Sequence, residues 1–489
     1  MAESDNLPNI LIFMPDEMRA DTISMDNHIN PVMKTPHIDS VAKDGVIFTN
    51  CFTVNPVCGP SRCCTFTGQF VHSNGHRSLY QLLRPHEENL FNFLKKKGYE
   101  VIWIGRNDLF TKKAIKNSVT KRIRMKLPSG NLKELVKQVK LNPHKLKDKM
   151  RKSFYFGERT ELQAEDIDKS IIESALEYLD SPPKKPFCLY LALNFPHPPY
   201  TVEEPYFSMY DRSNVPKPIP PKLDDKPEFM QIMQQRYGLN QLDEADFREI
   251  RATYYGMVSR VDDQFGQIIA KLKDIGEYDN TAIVFTADHG DYTGDYGLTE
   301  KWPNAFQDCL IHVPLVLRIP GLSPQKHLYE DLIQSIDIFA TLMEVAQINT
   351  KYTHFSKNIL PLLRGETDIH REEVFAEGGY NPREPQCFEI PIKNPNLPVV
   401  GIYYDKTRIS EEKPSTVARS AMIRTQEWKL VIRDKGKEEL YNLQEDPDEL
   451  TNLIESKDYS QVQSRLKEKL LRWYLNSSDN AHWKKSRVL

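Results

Sequence analysis

The stretch Asn9-Ile-Leu-Ile-Phe-Met-Pro-Asp-Glu17 sets an unbroken apolar run directly ahead of two carboxylates. A short run without polar alternation suits a strand covered on both faces, as in parallel sheets flanked by helices. Val46–Phe52, Glu100–Ile104, Phe187–Asn194, Thr281–Thr286 and Val313–Ile319 have the same form. Segments of helical spacing alternate with them: Asn89–Lys97, Ala164–Leu179, Phe247–Ile275 and Ile333–Ala346. The alternation predicts an α/β fold with a large, mostly parallel central sheet flanked by helices.

After about residue 370 the character changes. Ala421–Ile432 and Glu438–Leu443 form a hairpin pattern around the polar turn Arg-Asp-Lys-Gly-Lys, and a helical pattern over Gln461–Tyr474 follows. Two units are therefore expected, a catalytic domain over 1–370 and a smaller α+β subdomain over 371–489 with an antiparallel sheet and a terminal helix. Two segments interrupt the first unit. Residues 112–152 are dense in Lys and Arg, and Leu132, Leu135, Val136 and Val139 carry helical spacing, which predicts a basic, solvated helical insertion. Its other readings are a lid, an oligomer contact or an anion-attracting rim. Clustered prolines between Tyr206 and Phe229 predict an extended surface loop.

The composition narrows the function classes. The 489 residues carry 65 basic and 68 acidic side chains, so the chain as a whole advertises neither nucleic acid nor an acidic membrane surface as partner. No apolar run approaches the roughly 20 residues that span a bilayer. The acidic start Met-Ala-Glu-Ser-Asp-Asn lacks the features of a secretory leader, which gives an expectation of a cytoplasmic protein. The seven cysteines show no Cys-x-x-Cys and no repeated spacing, as suits reduced thiols rather than a disulfide framework or a structural zinc site.

In an open parallel sheet, ligands bind beyond the carboxyl ends of the strands. The residues that follow the predicted strands there are Asp16 and Glu17; Arg106, Asn107 and Asp108; His197 between prolines; and Asp288, His289 and Asp291, with Lys301 a short loop later. Singly, each has an ordinary explanation as a cap, a turn residue or a surface charge. Together they suit a divalent cation held by Asp16, Glu17 and Asp288, with His289 as a nitrogen donor or supporting contact. Arg62, Arg106 and Lys301 are surplus to such a cation and would bind a tetrahedral anion.

The remaining element is Cys58-Gly-Pro-Ser-Arg62. Pro60 suits a first helical position, so Cys58 would face free N–H groups and the positive end of a helix. The ordinary reading is a buried cysteine opening a core helix. A Cys-x5-Arg phosphatase loop does not fit, because only three residues separate Cys58 from Arg62. With the strand-end residues, the outline is a metal-assisted hydrolase of an anionic ester, with residue 58 as the nucleophile.

Cys58-Gly-Pro-Ser-Arg62 with Thr67-Gly68 resembles the signature of the type I, formylglycine-dependent sulfatases of the alkaline-phosphatase-like superfamily. The resemblance runs the length of the chain, through Asn9–Asp16, Thr35–Gly45, Pro196–Pro199, Tyr255–Asp263, Thr286–Gly290, Ser335–Thr341 and Trp428–Leu443. It implies that Cys58 is oxidised to formylglycine by a formylglycine-generating enzyme. It further implies a hydrated diol bound to one divalent metal, calcium in most sulfatases, held by Asp16, Glu17, Asp288, His289 and residue 58. By the same analogy Arg62 steadies the diol, His197 protonates the leaving oxygen and Lys301 bridges the sulfate. One hydroxyl attacks sulfur, and the second eliminates sulfate as the aldehyde re-forms.

Three departures separate the chain from the common pattern. Gly105-Arg-Asn-Asp108 stands where many sulfatases have Gly-Lys-x-His, so Arg106 keeps the charge while Asp108 replaces the histidine as base or serves the substrate. Glu17 stands where aspartate is commoner. Asp288-His289 is similar to the branch shared with phosphonate monoester hydrolases, which often use manganese. The first expectation is thus hydrolysis of a small sulfate ester, such as a sulfated carbohydrate. The second is a formylglycine-dependent phosphonate monoester or phosphodiester hydrolase, and the third a non-catalytic anion-binding homologue. The partners expected are the small anionic ester and the maturation enzyme, with neither nucleic acid nor membrane, and a homo-oligomer is compatible.

Overall fold

The computed structural model describes residues 7–124, 149–160, 166–381, 383 and 402–479. Its centre is a nine-stranded sheet. The strands are β1 (Asn9–Asp16), β2 (Val46–Phe52), β3 (Glu100–Gly105), β4 (Lys121–Arg122), β6 (Phe187–Pro196), β8 (Thr281–Thr286), β9 (His312–Arg318), β10 (Leu328–Tyr329) and β11 (Ile333–Gln334). They run in the order β10-β2-β9-β8-β1-β6-β3-β4, and β11 pairs with β2. A small separate pair joins β5 (Tyr155–Glu158) to β7 (Tyr200–Val202). Every residue of β1 and β8 is buried, as their uninterrupted apolar runs require.

One strand reverses. β9 is antiparallel to both β2 and β8, whereas the repeating pattern suggested another parallel member. The chain from 287 to 311 stays at one end of the sheet and makes no helical crossover along it, so it re-enters running the other way. Two further boundaries move. Ile333–Gln334 pairs with β2, and the helix expected over Ile333–Ala346 begins at Asp337. The Ala421–Ile432 run divides into two strands joined by a turn at residues 425–427.

Helices α1 (Pro36–Asp44), α2 (Cys58–Thr67), α3 (Leu90–Lys97), α4 (Ile167–Leu179), α5 (Glu244–Asp274) and α6 (Asp337–Val345) accompany the sheet. The longest is α5, which opens with a reciprocal cap between Asp243 and Asp246. Phe265 of α5 packs against Phe13 of β1 and Phe285 of β8 at ring distances of 5.1 Å. Asp262, also on α5, accepts the N–H groups of His37 and Ile38 and so satisfies free donors at the start of α1.

The second sheet is antiparallel, in the order β12 (Val374–Gly378), β13 (Ser420–Arg424), β14 (Trp428–Arg433) and β15 (Glu439–Asn442). Helix α7 (Tyr404–Glu412) precedes it in part, and α8 (Ser460–Ser477) covers it with Leu466, Leu470 and Trp473. The basic insertion is described only at its margins, by a helix over Lys112–Ser118, by β4 and by a turn at Lys149–Ser153. The apolar positions from Leu132 to Val139 lie outside the described residues, as does Cys387. No described helix is long and apolar enough to cross a membrane.

Gly105 ends β3 with φ 121°, and a Cβ there would stand 2.1 Å from the Ala192 carbonyl oxygen of β6. That distance admits no side chain, and a positive φ suits glycine. Gly105→Ala is therefore expected to lower thermal stability by several degrees or to abolish soluble expression. Calorimetry checks this; an unchanged melting temperature would contradict the packing described for β3 and β6.

Candidate active site

β1, β3, β6 and β8 deliver their final residues to the same end of the sheet, because all four run parallel. Asp16 is the last residue of β1, and Glu17 turns the chain with φ 65°. That turn is fixed by the Tyr254 hydroxyl, which donates to the Glu17 carbonyl at 2.6 Å, and by the Glu17 N–H, which donates to Asp288 Oδ1 at 3.0 Å. Asp168 of α4 accepts the N–H groups of Asn194 and Phe195 at 2.8 Å each, which sets the end of β6 just ahead of His197.

Helix α2 begins at Cys58, and the first intrahelical bond runs from the Ser61 N–H to the Val57 carbonyl at 2.9 Å. Pro60 is the third helical residue, not the first; it still lies within the first turn, whose N–H groups lack helical partners, so its missing donor breaks no bond. Arg62 lies one turn on and is fully buried. Its Nη2 meets Asp16 Oδ2 at 2.9 Å and its Nε meets Asp288 Oδ2 at 2.7 Å. The expectation that Arg62 is a spare cation for an anion is corrected accordingly. Its charge is taken by the two carboxylates that it joins.

The Cys58 Sγ lies 3.4 Å from Asp16 Oδ1 and 3.2 Å from His289 Nε2. Asp16, Cys58, Asp288 and His289 bring one ligand atom each within 4.8 Å of one another, all from buried residues. A second group joins Asp16, Glu17 and His197. His289 donates from Nδ1 to the Gly290 carbonyl at 2.9 Å, which leaves the Nε2 lone pair facing the cluster.

The electrostatics suit a cation. Burial pushes the Asp16 carboxyl up to about 6, with Arg106 opposing, and burial also raises Glu17 well above its usual range. Asp288, though buried, is held below the ordinary carboxylate range by Arg62 and His289. Burial lowers His289 to about 3 and keeps it neutral. Glu17 Oε1 is buried without a hydrogen-bond partner. Buried carboxylates, a bare imidazole nitrogen and an orphan oxygen form a donor set that fits a divalent ion. Burial also raises the Cys58 thiol well above its ordinary value, so the unmodified residue would be a poor nucleophile.

The other two cations, the part-exposed Arg106 and the buried Lys301, are arranged differently. Arg106 contacts Asp16 at 3.1 Å and also pairs with Asp108, and it keeps 23% of its side chain exposed. Asp108 therefore faces an arginine, and Asn107 caps the turn by accepting the Phe110 N–H at 3.0 Å. Lys301 Nζ is bonded to Glu17 at 2.7 Å, Glu300 at 2.8 Å and His197 Nε2 at 3.1 Å. His197 donates from Nδ1 to the Pro198 carbonyl at 2.7 Å, and burial with Lys301 beside it holds its pKa well below the ordinary value.

All the residues singled out from the sequence thus meet at one sheet end: Asp16, Glu17, Cys58, Arg62, Arg106, Asp108, His197, Asp288, His289 and Lys301. Three others join them. Glu300 adjoins Lys301 in sequence and could have been noticed there. Tyr403 and Lys406 arrive from α7 and its margin, over a hundred residues away, with no local pattern to mark them.

A family model described as Sulfatase matches residues 8–348, and one described as N-sulphoglucosamine sulphohydrolase, C-terminal, matches residues 401–475. The chain is 26% identical to the multifunctional alkaline phosphatase superfamily protein PehA from Trinickia caryophylli, over 98% of each chain. It is 24% identical to arylsulfatase K from Bos taurus, over 95% of this chain and 81% of that one. Among solved structures it is similar to the phosphonate monoester hydrolase of Agrobacterium radiobacter. The TM-score is 0.75, with 23% identity and 96% of each chain covered, which shows the shared fold.

Burial holds the Asp16 carboxyl up at about 6, so a cation is expected to displace its proton at lower pH. Calcium affinity is expected to be about tenfold weaker at pH 5 than at pH 7.5 from this group, with proton release on binding at the lower pH. Calorimetric titration in buffers of different ionisation heat checks both; equal affinity at the two pH values would contradict the assignment.

Proposed function

The chain belongs to the sulfatase family, and from that premise we propose that it hydrolyses the sulfate ester of a small sulfated carbohydrate at residue 58. The observation that carries the reading is Cys58 at a helix start, within 3.4 Å of Asp16 and 3.2 Å of His289, in a buried acidic cluster that suits a cation. The carbohydrate class is supported by the C-terminal match to a family named for an N-sulphoglucosamine sulphohydrolase.

Cys58 matured to formylglycine supplies two hydroxyls on hydration, one to attack sulfur and one to expel sulfate afterwards. A divalent ion, calcium by analogy with the family, would be held by Asp16, Glu17, Asp288, His289 and residue 58, and supplies charge against the ester oxygens. Arg62 does not reach the substrate in this reading. It locks Asp16 and Asp288 into one geometry and offsets part of their repulsion. Asp288, ionised over the working range and in the same cluster as residue 58, would help the ion to lower the pKa of one hydroxyl there.

Arg106 at the opening and the buried Lys301 offer positive charge to the sulfate oxygens. His197 Nε2 accepts from the Lys301 ammonium at 3.1 Å. A proton taken up at Nε2 as the anionic ester binds would pass from there to the leaving alcohol oxygen, while Nδ1 keeps its own proton on Pro198 and Lys301 stays charged. Asp108, paired with Arg106, orients that guanidinium in place of serving as a free base.

Cys58→Ala is expected to abolish turnover while leaving circular dichroism unchanged; activity near that of the unaltered protein would sink the nucleophile assignment. Mass spectrometry of the residue-58 peptide from the native host should find the aldehyde form, and finding thiol alone would favour an anion-binding homologue. On paired aryl sulfate and aryl phosphonate substrates kcat/KM should favour sulfate, and a large preference for phosphonate would move the enzyme to the phosphonate hydrolase branch. His197→Gln should cost about a hundredfold or more on alkyl sulfates, whose alcohols need a proton, and much less on nitrophenyl sulfate. Equal losses on both would remove His197 as the acid.

A further inference from the structure

Lys406 reaches the site from α7, and its ammonium is buried beside Glu300, at 3.2 Å from Oε2 and 3.3 Å from Oε1. Glu300 in turn bonds Lys301 at 2.8 Å, and its backbone N–H donates to the Tyr200 hydroxyl at 2.9 Å. Tyr200 itself donates to Asp291 at 2.7 Å. Glu300 has φ 64°, a conformation that a residue with a side chain adopts only when its surroundings enforce it. Tyr403, on the same turn as Lys406, stands 3.5 Å from His197 Nε2. This later part of the chain therefore touches the histidine of the site directly and its lysine through Glu300.

Charge explains why a lysine is spent there. A buried ammonium carries a heavy desolvation cost, and an apolar side chain of similar length would fill the space without it. Around residue 58 stand six carboxylates (Asp16, Glu17, Asp108, Asp288, Asp291 and Glu300) and four cations (Arg62, Arg106, Lys301 and Lys406). With a divalent ion bound and the carboxylates ionised, the set is neutral. Without Lys406 it carries one net negative charge, and Lys301 faces two carboxylates, Glu17 and Glu300, with no second cation to share them.

We propose that Lys406 is a positioning residue of the active site: by balancing Glu300 it leaves the charge of Lys301 to the anionic group of the substrate. The inference rests on the reading that this site binds a tetrahedral oxyanion ester. It gives the turn Tyr403–Lys406 a share in anion recognition, although Lys406 touches no reacting atom. Loss of Lys406 should weaken substrate and product anion alike, which raises KM and leaves kcat little changed.

The test uses the matured, calcium-loaded enzyme, an aryl sulfate as substrate and inorganic sulfate as competitive inhibitor. Lys406→Met should raise KM and the sulfate inhibition constant together by about tenfold, the size of one weakened charge contact in a partly screened site, with kcat within about threefold. Lys406→Arg should stay near the unaltered enzyme. Glu300→Gln/Lys406→Met should recover most of the sulfate affinity, because the unbalanced carboxylate is gone. Glu300→Gln alone should bind sulfate more tightly than the unaltered enzyme, and it decides the matter if Lys406→Met fails to fold. An inhibition constant unchanged in Lys406→Met, or unchanged or raised in Glu300→Gln, overturns the proposal. Absence of both turnover and sulfate binding in the unaltered enzyme would instead overturn the sulfatase reading on which it rests.

Discussion

The Arg62 guanidinium has no exposed surface and joins two carboxylates that belong to different strands, Asp16 at the end of β1 and Asp288 just beyond β8. Three buried charges of this kind are tolerable only together. Removal of the arginine would leave two neighbouring carboxylates buried without a counter-charge, and removal of either acid would strand part of a buried cation. The pairing also fixes α2, because Arg62 lies one turn beyond Cys58. The place of residue 58 relative to the acids is therefore a consequence of one ion triad.

From that triad outward, the site is graded by access. Asp16, Glu17, Cys58, Asp288, His289 and Lys301 are buried, whereas Arg106, Asp108 and His197 keep some contact with solvent. Such a gradient suits a reaction on an anionic ester. The buried part can hold a cation whose field water does not screen, and the open part can admit the anion and pass a proton to the departing alcohol. Hydrogen bonds from the scaffold fix the tautomers that this requires: Nδ1 of His197 and of His289 each donates to a neighbouring carbonyl, which turns both Nε2 lone pairs inward.

Much of this was legible in the residues. The apolar runs gave β2 and β8 to the residue, and β1, β3 and β6 to within two residues at their ends, because burial on both faces leaves no polar position to confuse the reading. The reversal of β9 was not legible, since an apolar run carries no direction; direction came from a loop that never crosses the sheet. The first turn of α2 was placed too late at Pro60, because proline is tolerated through the whole first turn. Asp108 illustrates another limit. Its place in the motif left it as a base or a substrate contact, and the fold pairs it with Arg106.

The sequence by itself determined the strand series, the collection of acids, a histidine and cations at strand ends, and the Cys58–Arg62 motif that marks the family. These are local properties, since apolar periodicity and residue type are properties of neighbouring positions. The tertiary structure alone decided which charge faces which. It gave Arg62 to two acids instead of to a substrate, set Glu300 between two lysines, and brought Lys406 to a site more than a hundred residues distant. Coulombic partnership depends on separations of a few ångströms in space, and a chain that folds through crossovers and a second sheet does not preserve those separations along its length.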